Sequence, residues 1–331
     1  MLLRPRRNRK SESIRNLLKE NSVELSDLVI PFFVIEGEKK KEPILEMPGI
    51  FRWTLDLLVG ELERIHKKGI LAVAIFPSIP KEQKDDSGSE ALNEKGLIPR
   101  AISFIKKSIP SLTLITDIAL DPFTLHGHDG LVSTSGQIVN DETIDVLVKQ
   151  AILHAQSGVD VVAPSDMMDG RIRAVREGLE KAGFHNTSIL SYTAKYASAL
   201  YAPFRGALKV KLAFGDKKTY QMNPANVKEA LLEAALDESE GADMLMIKPA
   251  SLYLDVIARV KERALIPVGA YHVSGEYAMV ALAHEHGLLN KYDVFYETLL
   301  GIKRAGAKFI FTYAYEEMLS VIDPGSLNNR V

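Results

Sequence analysis

The chain has 331 residues, 46% hydrophobic and 25% charged, with a formal net charge of −2. This is an ordinary globular composition with material for a large core, and its charge balance gives no support to nucleic-acid or membrane-surface binding. Cysteine is absent, which excludes disulfides and thiolate metal centres, and no apolar run approaches the roughly 18 residues a membrane helix needs.

The first 27 residues are basic, then mixed, with a short helix expected within 11–20. No apolar core follows MLLRPRRNRK, so the segment does not read as a secretory signal, and a cytoplasmic location is the expectation. Arg4, Arg6, Arg7, Arg9 and Lys10 suit either an acidic partner or a solvated, subunit-wrapping arm outside the main domain.

From residue 28 a rhythm sets in and runs to the end of the chain at 331. LVIPFFV at 28–34 is an apolar, β-rich run, followed by a helical pattern at 55–68 that Gly69 closes. ILAVAIF at 70–76 precedes a helix near 97–107, and LTLITDIA at 112–119 is a third strand. After a long loop, Asp141 is placed to cap a helix running to Ser157. VDVVAP at 159–164 is the fourth strand, with a helix at 171–182, and 188–193 is the fifth. An irregular polar stretch at about 200–222 separates it from a helix at 224–240, with Pro224 at a first helical position. The sixth strand, 242–247, runs into Lys248-Pro249, with a helix at 251–263. The seventh is 266–272, followed by helices at 277–286 and 292–304, and the eighth is 308–312 before a short, partly helical tail. Eight strands, continuous rather than alternating in polarity and separated by helices, predict an α/β fold of the (β/α)8 (TIM) barrel type. The competing doubly wound sheet normally carries a glycine-rich phosphate fingerprint after its first strand, and LVIPFFVIEGEKK has none.

In such a barrel the active site lies at the C-terminal ends of the strands. There the third strand carries Asp117 and Asp121, and the fourth ends in Ser165-Asp166. The fifth ends in Tyr192-Thr193 with Lys195 two residues on. The sixth ends in Lys248, the seventh in Tyr271-His272 with Ser274 next, and the eighth in Tyr313. A lysine at the end of a buried strand either snorkels to solvent or serves as a nucleophile. Two lysines on adjacent strands each raise the free energy of charging the other, so at least one is expected to titrate low enough to form a Schiff base with a ketone.

Seven segments carry a resemblance: SDMMDGRI at 165–172, SYTAKYAS at 191–198, PFRG at 203–206, GDKKTYQMNP at 215–224, GADMLMIKPA at 241–250, YHVSGEYAM at 271–279 and RAGAKFIFTY at 304–313. Together they resemble the porphobilinogen synthase (5-aminolevulinate dehydratase) family over nearly the whole chain. The resemblance implies condensation of two 5-aminolevulinate molecules to porphobilinogen with loss of two waters, early in tetrapyrrole synthesis. It also implies an N-terminal arm wrapped on a neighbouring subunit, usually in a homo-octamer. By the same resemblance Lys248 forms the Schiff base with the first substrate and Lys195 engages the second. Asp117 is the acid near the reacting amines. Ser274 and Tyr313 hold the first substrate's carboxylate; Arg205, with Gln221 near it, holds the second, and the 200–222 stretch is a lid.

Two departures stand out. Lys217 occupies the position of an expected arginine beside Arg205, giving a point charge without a bidentate fork. Ala119, Asp121 and Asp129 stand where many members carry three zinc-binding cysteines, so that zinc centre cannot form; Asp121 and Asp129 suit magnesium, or no tightly held metal. His126 and His128 in the same loop read as positioned loop histidines or as ligands. Glu233 matches a glutamate that holds a separate, allosteric magnesium in part of the family; the alternative is an ordinary exposed helical glutamate. A class I aldolase is the alternative enzyme on this barrel, but it needs one Schiff-base lysine rather than two.

Overall fold

The computed structural model describes residues 1–322. Residues 1–27 carry a 3-10 turn at Pro5–Arg9 and helix α1 (Glu12–Leu17), and neither buries a residue. The barrel then begins with β1 (Leu28–Val34), buried at all seven positions. A hairpin that the sequence pattern does not show, β2 (Lys41–Pro43) with β3 (Phe51–Trp53), attaches to the end of β1 through Phe33↔Arg52 and Val34↔Trp53.

The remaining strands are β4 (Ala72–Pro77), β5 (Thr113–Ile118), β6 (Val161–Pro164), β7 (Ser188–Lys195), β8 (Met244–Lys248), β9 (Val268–Tyr271) and β10 (Ile310–Phe311). Each pairs in parallel with the next, and β10 returns to β1 through Leu28↔Ile310, so β1 and β4–β10 form a closed eight-stranded barrel. Closure leaves no unpaired edge, and the continuous apolar runs follow from burial on both faces. Around it lie α2 (Leu55–Lys67), α3 (Leu97–Ser108), α4 (Asp141–Gln156), α5 (Arg171–Lys181), α6 (Ala202–Leu208), α7 (Lys228–Ser239), α8 (Leu254–Arg263), α9 (Ser274–Glu285), α10 (Lys291–Arg304) and α11 (Tyr315–Ile322). The stripes are legible: Leu58, Leu62 and Ile65 are the buried residues of α2, and Gly69 takes φ +105° just past its end.

Several boundaries differ from the sequence reading, and four of them are instructive. Asp141 is the first helical residue of α4 rather than its cap; Asn140 holds the cap position, and Asp141 and Glu142 place negative charge in the first turn. Pro224 lies outside α7, because the Asn223 side chain accepts from Ala225 N (3.0 Å) and turns the chain there before the helix starts at Lys228. The 200–222 stretch opens with regular structure, a 3-10 turn at Ala199–Tyr201 running into α6. Strand β7 extends through Lys195, so this lysine belongs to the strand itself. The tail is helical as α11, and the expectation for 323–331 lies outside the described residues.

Candidate active site

Lys195 and Lys248 close neighbouring strands and stand directly opposite each other in the β7–β8 register. The alignment depends on a register shift: Ser191 faces Leu245 but Ala194 faces Ile247, so β7 uses one residue more than β8 over that span. Opposed residues of parallel strands share a face, and both lysines are thereby on the same one.

The two amines meet different surroundings. Lys248 Nζ lies among four rings, 4.5 Å from the centroid of Tyr271, 5.0 Å from Tyr192 and 5.2 Å from Tyr201 and Phe204. No carboxylate among the described residues lies within ion-pair distance of it. Burial, then the charge of Lys195, lowers its pKa to about 7 against the opposing pull of Asp117. Lys195 Nζ donates to the carbonyl of Ser165 and lies 3.6 Å from Asp129 Oδ1. Asp117 on β5 has its Oδ1 buried without a partner; burial and the nearby Asp121 raise its carboxyl to about 7, with Lys195 pulling the other way. A carboxyl and an amine that both titrate near neutrality are suited to moving protons.

The loop after β5 carries the second buried charge cluster. Lys217 Nζ reaches Asp121 Oδ2 and Asp129 Oδ1, each at 3.2 Å. Burial disfavours its charge, but the two carboxylates outweigh that and hold its pKa above the ordinary lysine value. Asp129 is drawn down to about 2 by Lys195 and Lys217 despite its burial, whereas burial pushes Asp121 up. The 200–222 stretch is fastened here by further bonds. His128 Nε2 pairs with the Phe214 carbonyl (3.1 Å), His128 Nδ1 with the Tyr220 hydroxyl (3.1 Å), and Ala213 N donates to the His126 carbonyl (3.1 Å). Its far end clips onto the chain at the end of β7, with Met222 N donating to Lys195 O (3.0 Å).

Ser274 opens α9. Its hydroxyl accepts from Phe204 N (3.0 Å) and donates to Leu200 O (3.3 Å), which joins this helix to the start of α6. The approach is close enough that a Cβ on Gly275 would stand 2.5 Å from Leu200 O. Tyr313 shares a hydrogen bond with Tyr271 (3.0 Å between hydroxyls) and stacks on Phe33, so it borders the Lys248 chamber. Arg205 is half-exposed on α6; no hydrogen bond or ion pair among the described residues joins it to Lys217 or to the buried Gln221.

Glu233 lies apart, on α7, beside a cleft of about 900 Å3 that Asp169, Tyr220, Asn226 and Glu229 also line. Burial raises its carboxyl to about 7; Arg171 opposes this, and Asp237, Asp169 and Glu229 add to it. Asp117, Lys195, Lys248, Asp121, Asp129 and Lys217 thus form one connected group, Ser274 and Tyr313 border it, and Glu233 stands outside. Sequence reading placed Tyr192 and Tyr271 at strand ends but passed over Tyr201 and Phe204. Their signal was two aromatics three residues apart at the head of a short helix.

A family model for delta-aminolevulinic acid dehydratase matches residues 2–321. The chain belongs to that family. It is 52% identical over 322 residues to the delta-aminolevulinic acid dehydratase of Chlamydia pneumoniae, covering 97% of both chains. It is 50% identical to that of Bradyrhizobium diazoefficiens over 95% of this chain and 89% of the relative. A crystal structure of the Toxoplasma gondii delta-aminolevulinic acid dehydratase (porphobilinogen synthase) in complex with the reaction product porphobilinogen superimposes with a TM-score of 0.97. That match is at 46% identity and covers 100% of this chain and 95% of the other. Family membership makes the protein a lyase of porphyrin biosynthesis and sets the aldolase alternative aside. No helix among the described residues is long and apolar enough to cross a membrane.

Proposed function

We propose that this barrel joins two 5-aminolevulinate molecules into porphobilinogen through imines on Lys248 and Lys195. The observation that carries the reading is the pair of lysines in register at adjacent strand ends, with the Lys248 amine near neutrality. A neutral amine adds to a ketone and releases its oxygen as water; two ketones treated so account for both waters lost. The lysines are set free again as the new carbon–carbon and carbon–nitrogen bonds take over those carbon atoms. Holding both substrates on fixed strands supplies effective concentration that solution lacks. Asp117 moves protons between them.

Ser274 and Tyr313 hold the first substrate's carboxylate. Arg205, Gln221 and Lys217 hold the second's, with Arg205 supplying a guanidinium that is unpaired among the described residues and Lys217 a charge it shares with Asp121 and Asp129. The stretch 200–222 closes over the chamber and excludes water, which a dehydrating condensation needs.

The donors around Asp121 and Asp129 offer oxygen and no sulfur, and Lys217 already neutralises them, so they do not fit a zinc–thiolate centre. Glu233 fits a hard cation better: burial, with the neighbouring Asp237, Asp169 and Glu229, holds the proton on its carboxyl to about pH 7, and the positive charge of Arg171 does not offset them. A magnesium ion there would be held by Glu233 and would supply positive charge at a distance from the chemistry. Residues 1–27, largely exposed in one chain apart from the buried Val23, wrap a neighbouring subunit in a homo-octamer that works in the cytoplasm.

The test is porphobilinogen formation from 5-aminolevulinate by the purified protein with a strong chelator, with magnesium and with zinc. Product that persists or grows with magnesium and ignores zinc is the expected result. No product under any of the three conditions would overturn the reading.

A further inference from the structure

The hinge between β7 and the lid contains a contact that the scheme above does not use. Tyr201 and Phe204, on one side of the first turn of α6, both turn their rings to the amine of Lys248. Phe204 is seated by its N–H on Ser274 and by packing on Phe33 and Phe76, at 5.6 and 5.3 Å between ring centroids. Tyr201 is held differently. Its phenol is buried and donates to the main-chain carbonyl of Lys248 at 3.1 Å. The same oxygen accepts Tyr196 N at 2.9 Å, just beyond the Lys195↔Lys248 pair. A single carbonyl therefore joins the strand pairing that aligns the lysines to the hinge of the lid. Burial and the neighbouring Tyr253 push the phenol pKa well above its ordinary value, so it remains a donor throughout the working range.

We propose that Tyr201 is a positioning residue for the Schiff-base lysine: it fastens the lid hinge to the main chain of Lys248 and fixes the direction of the amine when the hinge is seated. The proposal rests on Lys248 as the imine-forming residue. A lysine side chain has a long flexible stem, and main-chain placement alone leaves its amine free to wander. Two of the four surrounding rings belong to the lid hinge, so a hinge released from the carbonyl removes half the cage and admits water. Readmitted water favours the ammonium form and moves the amine's titration upward. Loss of the phenol alone leaves the bonds of Ser274 to Phe204 N and Leu200 O, which keep the hinge helix and its Arg205 in place for the carboxylates, so binding is spared while the chemical step slows.

The experiment compares full-length parent, Tyr201→Phe and Tyr201→Leu by three readouts. These are kcat and KM for 5-aminolevulinate, thermal stability, and the pH dependence of adduct trapped by borohydride and located by peptide mass. Tyr201→Phe keeps the ring and loses the tie; kcat is expected to fall about fivefold, the worth of one net hydrogen bond, with KM changed by less than about twofold. The trapping midpoint rises in Tyr201→Phe and rises further in Tyr201→Leu. Parent-like kcat and midpoint in Tyr201→Phe overturn the proposal. So does a loss of activity that merely tracks lost folded protein with the midpoint unmoved. A parent adduct that maps away from Lys248 overturns the lysine assignment itself, and the Tyr201 proposal with it.

Discussion

Lys248 and Lys217 are equally hidden from solvent, at 6% and 8% exposure, yet their amines are driven in opposite directions. Lys248 sits among aromatic rings with another lysine opposite, and its pKa falls to about 7. Lys217 sits between two carboxylates, and its pKa rises above the ordinary lysine value. Burial by itself disfavours both ammonium ions; the partners decide the outcome. One pocket is built to release a proton and the other to retain one. The retained charge offsets part of the negative charge that Asp121 and Asp129 share.

The largest expected effect comes from removing the amine that can be neutral. Lys248→Met should lower porphobilinogen formation on the order of 10³-fold or more and abolish borohydride trapping at that position. A residual rate within about tenfold of the parent would break the contrast, since the neutral amine would then have no special task. Lys217→Met strikes the other pocket, takes the cation from the buried Asp121 and leaves Asp129 with Lys195. Denaturant unfolding at pH 7 should show a loss of about 3–5 kcal/mol, partly restored in the Lys217→Met/Asp129→Asn double variant. A single variant as stable as the parent would show that the carboxylates find other relief.

Much of the fold was legible because closed parallel barrels write themselves as apolar runs, and each of the eight runs is a barrel strand. The short β2–β3 hairpin was not: KEP and FRW are too short to show a period, and their pairing rests on the end of β1. Lys248 could be found as a polar residue terminating an apolar run. Its aromatic surroundings could not, because Tyr201 and Phe204 come from a helix that looked irregular in a polar stretch. The Lys217 pairing was equally hidden, since Asp121 and Asp129 lie 96 and 88 residues away in the chain.

A smaller effect sharpens the comparison within the Lys248 pocket. Only the neutral amine adds to a ketone, so imine formation should rise as pH increases through about 7. Asp117 favours the ammonium form. Asp117→Asn should therefore move the trapping midpoint down, by up to about one unit, even as turnover falls with the loss of a proton carrier. A midpoint that moves up would mean that Asp117 acts on the lysine by something other than charge. The smallest expected effect lies outside both pockets: Glu233→Gln should weaken the response to magnesium, followed by activity titration, while leaving the borohydride-trapping midpoint in place. An unchanged magnesium response would remove Glu233 from the metal's site.

The register shift in β7 has a consequence for how this enzyme can change. Were the same residues of β7 paired regularly from Ser191 onward, without the shift, the side chain opposite Lys248 would be that of Ala194, and Lys195 would turn to the other side of the sheet. The lysine pair is encoded in a count as well as in two identities. A deletion of Thr193 would equalise the two strands over this span and leave Lys195 opposite Lys248, whereas a residue inserted between Ser191 and Ala194 would add a second extra position for the pairing to take up. Along this strand, descent with modification is lopsided: a residue lost can be taken up by the shift, and a residue gained strains it further.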